Sequence, residues 1–296
     1  MSRQTSPGAP EQLTALAPAP RINNRAVPPR TDAGTIRYAR FLPATDAEGP
    51  GRRAALWLQG CSIRCPGCFN PHLWADRGAA LVPTGDFAAE LVDQAIAAGS
   101  EGLTLLGGEP FEQAAASAVV ARSFREAGLS VMTFTGYLHQ DLERWSVDRE
   151  DIAGLLAATD LLADGPYLQD RPDLQRPWIG STNQGLTALT GRYRDLLKDI
   201  GAQPDRIEIR VAPDGTIGLN GWASDDQLDA LLANLGARAD RPGSGSPAAN
   251  RPRSGRPAAA HSSRAPVARS TASGRAFVPT ITPRPVPAGA RSGETP

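Results

Sequence analysis

The chain has 296 residues, with 31 Lys and Arg against 31 Asp and Glu and so a formal net charge of zero. That neutrality hides an asymmetry: residues 236–296 carry ten Arg against Asp240 and Glu294, about +8, which leaves about −8 on residues 1–235. No apolar run approaches the length of a membrane span, and residues 1–33 lack the apolar stretch of a secretory signal, so the expectation is a cytoplasmic protein without membrane contact.

Composition divides the chain in three. Residues 1–33 contain six Pro and no periodicity, and residues 236–296 are nearly all Arg, Pro, Ala, Ser, Gly and Thr. Neither can bury enough apolar surface to offset its ordering entropy, so both are expected to be disordered. Residues 34–235 remain as one domain, large enough for a single core. A basic tail invites a nucleic-acid reading, but Lys198 is the only lysine of the chain. Arginine richness is therefore a habit of the whole chain, and a nucleic-acid partner is not favoured.

Within 34–235 short apolar runs alternate with helix-like segments. Ala54–Gln59 reads as a strand leading into a cysteine loop. Asp86–Ala98 has helical spacing, with Thr84 or Asp86 as N-cap. Gly102–Leu106 is a buried strand closed by Gly107-Gly108. Phe111–Ala127 is helical and Gly128 is its C-cap. Leu129–Thr135 is the next strand, stopped by Gly136. Leu138–Ala157 is helical with a break near Ser146–Asp148. Asp160–Ala163 is a strand ending at Asp164-Gly165-Pro166, and a long loop runs on to about Thr190. Ile207–Ala212 and Thr216–Asn220 flank Pro213-Asp214-Gly215 as a hairpin. Ser224 caps a last helix to about Leu235. Alternating strands and helices predict an α/β fold, a mostly parallel sheet with outer helices. In such sheets chemistry gathers at the carboxyl ends of the strands.

All three cysteines, Cys61, Cys65 and Cys68, fall within eight residues in a C-x3-C-x2-C pattern. Three thiolates are one short of a structural zinc site and odd for disulfides. They fit a 4Fe–4S cluster with one iron left for a non-protein ligand. The competing readings are a zinc site completed by His72, His139 or His261, and a single reactive cysteine. The second motif, Gly107-Gly108-Glu109-Pro110, follows the second strand. Alone it is an ordinary strand-to-helix turn whose glycines let another group approach the backbone closely.

Taken together, the cysteine loop and this turn resemble the radical S-adenosylmethionine (SAM) enzymes. More narrowly, the chain is similar to the activating enzymes of glycyl-radical proteins, most of all to the group serving anaerobic ribonucleotide reductase. The likeness runs over about residues 34–222. It is carried by Glu48–Arg52, Leu56–Cys61, Cys65-Pro66-Gly67-Cys68-Phe69-Asn70-Pro71, Thr135-Gly136-Tyr137, Asp164-Gly165-Pro166-Tyr167 and Gly180-Ser181-Thr182-Asn183-Gln184.

The resemblance implies a partial (β/α) barrel. It implies that Cys61, Cys65 and Cys68 hold a 4Fe–4S cluster whose fourth iron takes SAM. Gly67 and Phe69 would lie on the adenine side. Gly107, Gly108 and Glu109 would meet the methionine moiety, and Asp164 the ribose or methionine end. Asn183 and Gln184 would line the site or cap a turn, and Tyr137 and His139 would be structural or face a partner. Trp57, Trp74 and Trp178 read as packing residues. The implied partners are a glycyl-radical enzyme, the large subunit of anaerobic ribonucleotide reductase, and a flavodoxin- or ferredoxin-like electron donor. The rivals are a deazapurine-synthase-like enzyme acting on a small molecule and a non-catalytic iron–sulfur protein. The former usually has Asp after its last cysteine, where this chain has Phe69.

Overall fold

The computed structural model describes residues 22, 24–204, 206–211 and 217–221. The expected helix from Ser224 and the tail from 236 lie outside these residues. Nine strands are described: β1 (Thr35–Thr45), β2 (Arg53–Leu58), β3 (Ala80–Pro83), β4 (Gly102–Gly107), β5 (Ser130–Phe134), β6 (Leu161–Asp164), β7 (Gly185–Ala188), β8 (Ile207–Val211) and β9 (Ile217–Gly221). The helices are α1 (Thr84–Ala97), α2 (Ala114–Glu126), α3 (His139–Ser146), α4 (Glu150–Ala158) and the short α5 (Arg194–Lys198).

The first seven strands form one sheet in the order β3-β1-β2-β4-β5-β6-β7. Its centre, β2-β4-β5-β6, is parallel, while β1 and β7 run antiparallel to their central neighbours and β3 pairs antiparallel with β1. The sheet is thus mixed at its margins. The expected parallel pattern holds for the four strands connected by helices, as a parallel pair requires a crossover.

The sequence anticipated β2, β4, β5, β6, the β8–β9 hairpin and the break between α3 and α4. It missed β1, β3 and β7. β1 is long but half-buried along most of its length and contains Arg37, Arg40 and Pro43, so it lacks clean alternation. β3 and β7 have four residues each and find their place only by pairing with β1 and β6.

The helix ends show local rules at work and failing. α2 ends as expected: Gly128 has φ +79°, its N–H reaches Arg125 O at 3.0 Å, and Leu129 N–H reaches Phe124 O at 2.9 Å. This is the paired closure that a left-handed glycine permits. The expected N-cap of α1 is not made. The helix starts at Thr84 behind Pro83 with no side-chain cap, and Asp86 sits in its first turn, where a carboxylate favours the helix dipole. The first residues of the segment 110–127 form a 3-10 turn, Pro110–Gln113, before α2 begins.

The apolar core lies between one face of the sheet and helices α1 to α4. Leu56 and Leu58 of β2, Leu103 and Leu105 of β4, Val131 and Leu162 meet Leu91, Phe124, Leu142, Ile152 and Leu155 there. The other face carries Ala55, Trp57, Leu106, Met132, Leu161 and Ala163. It is covered in part by Ile179, Trp178, Tyr193 and Leu197. The β8–β9 hairpin is tied to the end of β1: Thr45 bonds Glu208, Arg210 bonds the Ala44 carbonyl, and Arg40 reaches Asn220 Oδ1 at 3.1 Å. Upstream of β1, Arg149 donates to the carbonyls of Pro28 and Pro29 at 2.7 and 3.1 Å.

At the amino-terminal edge of the parallel strands, Arg53 is fully buried and donates to Thr104 Oγ1, Ser130 Oγ, Tyr193 Oη and the carbonyls of Pro50 and Leu103. At the same edge Asp160 accepts from Arg125, Thr190 Oγ1 and the Val131 amide. Every charge buried here has its partners, as burial demands.

Candidate metal centre

The carboxyl ends of the four parallel strands lead into the four sequence features singled out above. β2 runs into the cysteine loop, β4 into Gly107-Gly108-Glu109-Pro110, β5 into Thr135-Gly136-Tyr137 and β6 into Asp164-Gly165-Pro166. Sheet topology therefore brings them to one edge, although Cys61 and Asp164 stand more than a hundred residues apart in sequence.

The cysteine loop is held at both ends. Gly60 N–H bonds Leu73 O at 2.9 Å, and Cys61 N–H bonds Trp74 O at 3.1 Å. Gln59 Nε2 donates to the carbonyls of His72 and Ala75 at 3.2 and 2.6 Å. Ile63, 2% exposed, plugs the loop into the core against Gly136. Glu112 accepts the Ser62 amide at 2.8 Å and its hydroxyl at 2.5 Å, and Tyr137 Oη lies 3.4 Å from the same carboxylate. Arg64 takes φ +52° and Gly67 φ +76°, so the chain doubles back sharply between the cysteines.

The Gly-Gly turn fits against this loop with no spare room. A Cβ on Gly108 would sit 2.3 Å from Gly60 O, and Gly107 takes φ +98° with its missing Cβ 2.8 Å from Trp57 Cα. The amides of Gly108 and Glu109 bond Leu58 O and Gly60 O, each at 2.8 Å. A ligand at this turn would therefore meet carbonyl oxygens rather than these amides. Glu109 is buried, and its carboxylate accepts the Phe111 amide, Thr135 Oγ1 and the Gly136 amide at 3.0, 2.8 and 2.9 Å. Burial pushes its carboxyl up to about 8 against the opposing pull of those donors. It acts as a strut between the ends of β4 and β5.

Asp164 accepts the His139 amide at 3.0 Å and so holds the start of α3. Asn183 donates to Pro166 O at 2.8 Å, and Gln184 accepts the Gly180 and Ser181 amides while donating to Gly165 O. Both side chains fasten the loop 165–184. That loop in turn closes on the cysteines. The Phe69 and Tyr167 rings meet at 4.9 Å between centroids, a Cβ on Gly67 would strike Gln169, and the Tyr167 amide favours the thiolate of Cys65. Sequence reading placed Phe69 and Gly67 in the site. Their grip by Tyr167 and Gln169, and the Glu112–Ser62 clamp, were missed, since contacts across a long loop leave no local pattern.

The three cysteines are free and half-buried. Burial pushes Cys61 up to about 12 and Cys65 to about 11, and it raises Cys68 too, so without a bound cation all three stay thiols. Coordinated iron reverses that balance, because a metal-bound thiol is deprotonated outright. Among the described residues no group of three or more His, Cys, Asp or Glu converges on a point where one ion could sit. A cubane cluster does not need such a point, since each thiolate binds a different iron. Cys68 Sγ accepts the Asn70 amide at 3.4 Å. The Trp74 indole N–H is buried with no formed hydrogen bond, and Trp74 favours the thiolate form of Cys68 against the opposing effect of burial. A buried donor left in that state costs about 1–3 kcal/mol. An anionic sulfur at Cys68 removes that cost, so the donor set and its surroundings fit an iron–sulfur cluster.

A family model described as a 4Fe-4S single cluster domain matches residues 47–187, which spans every element of this site. The fold and the cysteine loop thus place the chain among α/β proteins with a single-cluster 4Fe–4S domain. It is 30% identical over 159 residues to the anaerobic ribonucleoside-triphosphate reductase-activating protein of Salmonella typhimurium (strain LT2), covering 50% of this chain and 96% of that one. The protein of the same description from Vibrio cholerae is 30% identical over 165 residues, 52% of this chain and 99% of the relative. That of Enterobacteria phage T4 is 29% identical over 159 residues, 52% and 96%. The chain belongs to the family of anaerobic ribonucleoside-triphosphate reductase-activating proteins. Among the described residues no helix is long and apolar enough to cross a membrane.

Proposed function

We propose that the chain is a radical SAM activating enzyme whose substrate is a glycine of a partner protein, the large subunit of an anaerobic ribonucleotide reductase. The observation that carries the reading is the seating of Gly60, which opens the three-cysteine loop at the end of β2, on the Gly107-Gly108 turn, in a family whose relatives bear the activating name. Cys61, Cys65 and Cys68 would hold a 4Fe–4S cluster and leave one iron for SAM. When bound and reduced, the cluster supplies the electron that cleaves SAM to methionine and a 5′-deoxyadenosyl radical, which takes a hydrogen atom from the glycine Cα.

The chain's own residues would bind and orient. The carbonyl oxygens of the Gly107-Gly108 turn suit the ammonium of the methionine moiety, because the Gly108 and Glu109 amides are engaged. Glu109 would serve that moiety indirectly, by fixing the turn against β5. Asp164 lies at the end of β6 for the ribose side, and Gly67 and Phe69 close the adenine side, backed by Gln169 and Tyr167. The sheet would act as a partial barrel whose open edge admits a loop of the partner. A flavodoxin- or ferredoxin-like protein in the reducing cytoplasm would deliver the electron. Residues 34–235 would form the catalytic domain, with the segment 24–33 fastened to it through Arg149 and Asp148.

The test is anaerobic reconstitution with iron and sulfide, reduction by dithionite and addition of SAM. Release of methionine and 5′-deoxyadenosine is expected, and with the cognate reductase a glycyl doublet in the EPR spectrum. SAM cleavage without the doublet would transfer the reading to another radical SAM substrate. A reconstituted cluster that releases no 5′-deoxyadenosine would leave a non-catalytic iron–sulfur protein.

A further inference from the structure

We infer that Glu112 is the positioning residue of Cys61: together with Gln113 it brackets the first cysteine, so that this thiol is in place for a cluster before iron is bound. The inference rests on the cluster reading above and deepens it.

The turn Pro110–Gln113 grips the chain on both sides of Cys61. On the side of β2, Gln113 Nε2 donates to Gln59 O at 3.1 Å and the Glu109 amide donates to Gly60 O at 2.8 Å. On the other side, Glu112 Oε1 accepts the Ser62 amide at 2.8 Å and the Ser62 hydroxyl at 2.5 Å, with Oε2 at 3.1 Å from the same amide. Residues 59, 60 and 62 are thus bonded to one turn, and Cys61 cannot swing without breaking that set.

The turn itself is rigid. Pro110, Phe111 and Gln113 are buried, and Glu109 Oε1 accepts the Phe111 amide at 3.0 Å. Gln113 also exchanges two bonds with the backbone of Arg37 in β1, at 2.7 and 3.0 Å. Behind Glu112, Tyr137 is buried edge-on against Trp145 and brings its hydroxyl to 3.4 Å from Oε1.

Ser62, by contrast, is exposed. Water can bond its amide and hydroxyl when the carboxylate is gone, so the clamp adds little to global stability. Its effect is local. Groups that orient a metal ligand from outside the coordination shell typically cost 10–100-fold in metal affinity when removed. The stretch around Cys65 and Cys68 is covered instead by the loop 165–184, through Tyr167 on Phe69 and Gln169 over Gly67. Loss of Glu112 should therefore act on one thiol of the three. Both shortest bonds end on Oε1, and a glutamine offers one acceptor oxygen for that place.

The test uses the full chain as wild type, Glu112→Ala and Glu112→Gln. On cluster-free protein, iodoacetamide labelling read by mass spectrometry gives a rate for each cysteine. In Glu112→Ala the Cys61 rate should rise while Cys65, Cys68 and the thermal midpoint keep their wild-type values. Glu112→Gln lacks the charge but keeps the oxygen, and its Cys61 rate should lie near wild type. After anaerobic reconstitution, Glu112→Ala should lose iron to a chelator about tenfold faster than wild type or more, and Glu112→Gln should not. An unchanged Cys61 rate, an equal rise at all three cysteines, or a Glu112→Gln rate equal to that of Glu112→Ala overturns the inference. If Glu112→Ala does not fold, Ser62→Ala decides from an exposed position: a rise at Cys61 alone supports the inference and no change overturns it. A wild-type chain that takes up no cluster overturns both readings, whereas a failure confined to the labelling leaves the cluster reading standing.

Discussion

The two edges of the parallel strands are built on opposite terms. At the amino-terminal edge Arg53 and Asp160 are buried, and their polar atoms are engaged by the protein. At the carboxyl edge three thiols are held in the protonated state by burial, an indole N–H lacks a formed bond, and residues with positive φ turn the chain sharply. The first edge is complete as it stands and contributes stability. The second is complete only with something bound. Substitutions at the two edges should therefore separate stability from cofactor uptake.

The sharpest separation is expected from Cys65→Ala. It removes one ligand from a half-buried loop whose anchors lie elsewhere, so all visible absorbance from the cluster should vanish while the thermal midpoint of the cluster-free chain stays put. Retention of a stable brown cluster would break the comparison. Arg53→Ala should do the reverse. Several buried acceptors lose their donor at once, and unfolding in urea should show a loss of about 3 kcal/mol or more. The surviving folded chains should still take up iron.

Gly108→Ala lies on the boundary between the two behaviours. Its Cβ would press on Gly60 O, so the cysteine loop must shift off the β4 turn. A loss of about 1–3 kcal/mol is expected, with a partial fall in iron content per chain. Unchanged iron content would mean that the turn does not position the cysteines.

Asp160→Asn sharpens the picture through pH. Burial alone would raise the Asp160 carboxyl, but bonds from Arg125, Thr190 and the Val131 amide outweigh it and hold the folded value below the ordinary one. A depressed folded pKa contributes stability above the unfolded value, about 4, and that stability is lost as pH falls through the folded value. Wild type should therefore lose stability below about pH 4 more steeply than Asp160→Asn, which starts lower at neutral pH. Parallel curves would remove Asp160 from the stabilising edge. The smallest effect belongs to truncation after residue 235: thermal midpoint, iron uptake and SAM cleavage should all be unchanged. A drop in any of them would give the basic tail a part in the core.

Much of this is legible in the sequence, for identifiable reasons. Gly128 could be recognised as a helix stop because a left-handed closure favours glycine, and it takes that conformation. The C-x3-C-x2-C spacing points to metal chemistry because three clustered thiols are odd for disulfides and supply several soft ligands at once. Thr84 misled. A threonine before a helical run suggests a cap, but its hydroxyl is buried without a partner and the helix starts at that residue. Glu109 read as a ligand contact, while the fold turned its carboxylate inward to Thr135 and Gly136.

The sequence alone determined which donors exist and the order in which the strands deliver them: three thiols after β2, a glycine pair after β4, an aspartate after β6. Those are local properties of residue type and spacing. Tertiary structure decided what surrounds the thiols. Glu112 on Ser62, Tyr167 on Phe69 and Gln169 over Gly67 all depend on how loops fold across one edge of a sheet. No periodicity encodes such contacts, because they are settled only when the strands have aligned and the loops must share the space above them.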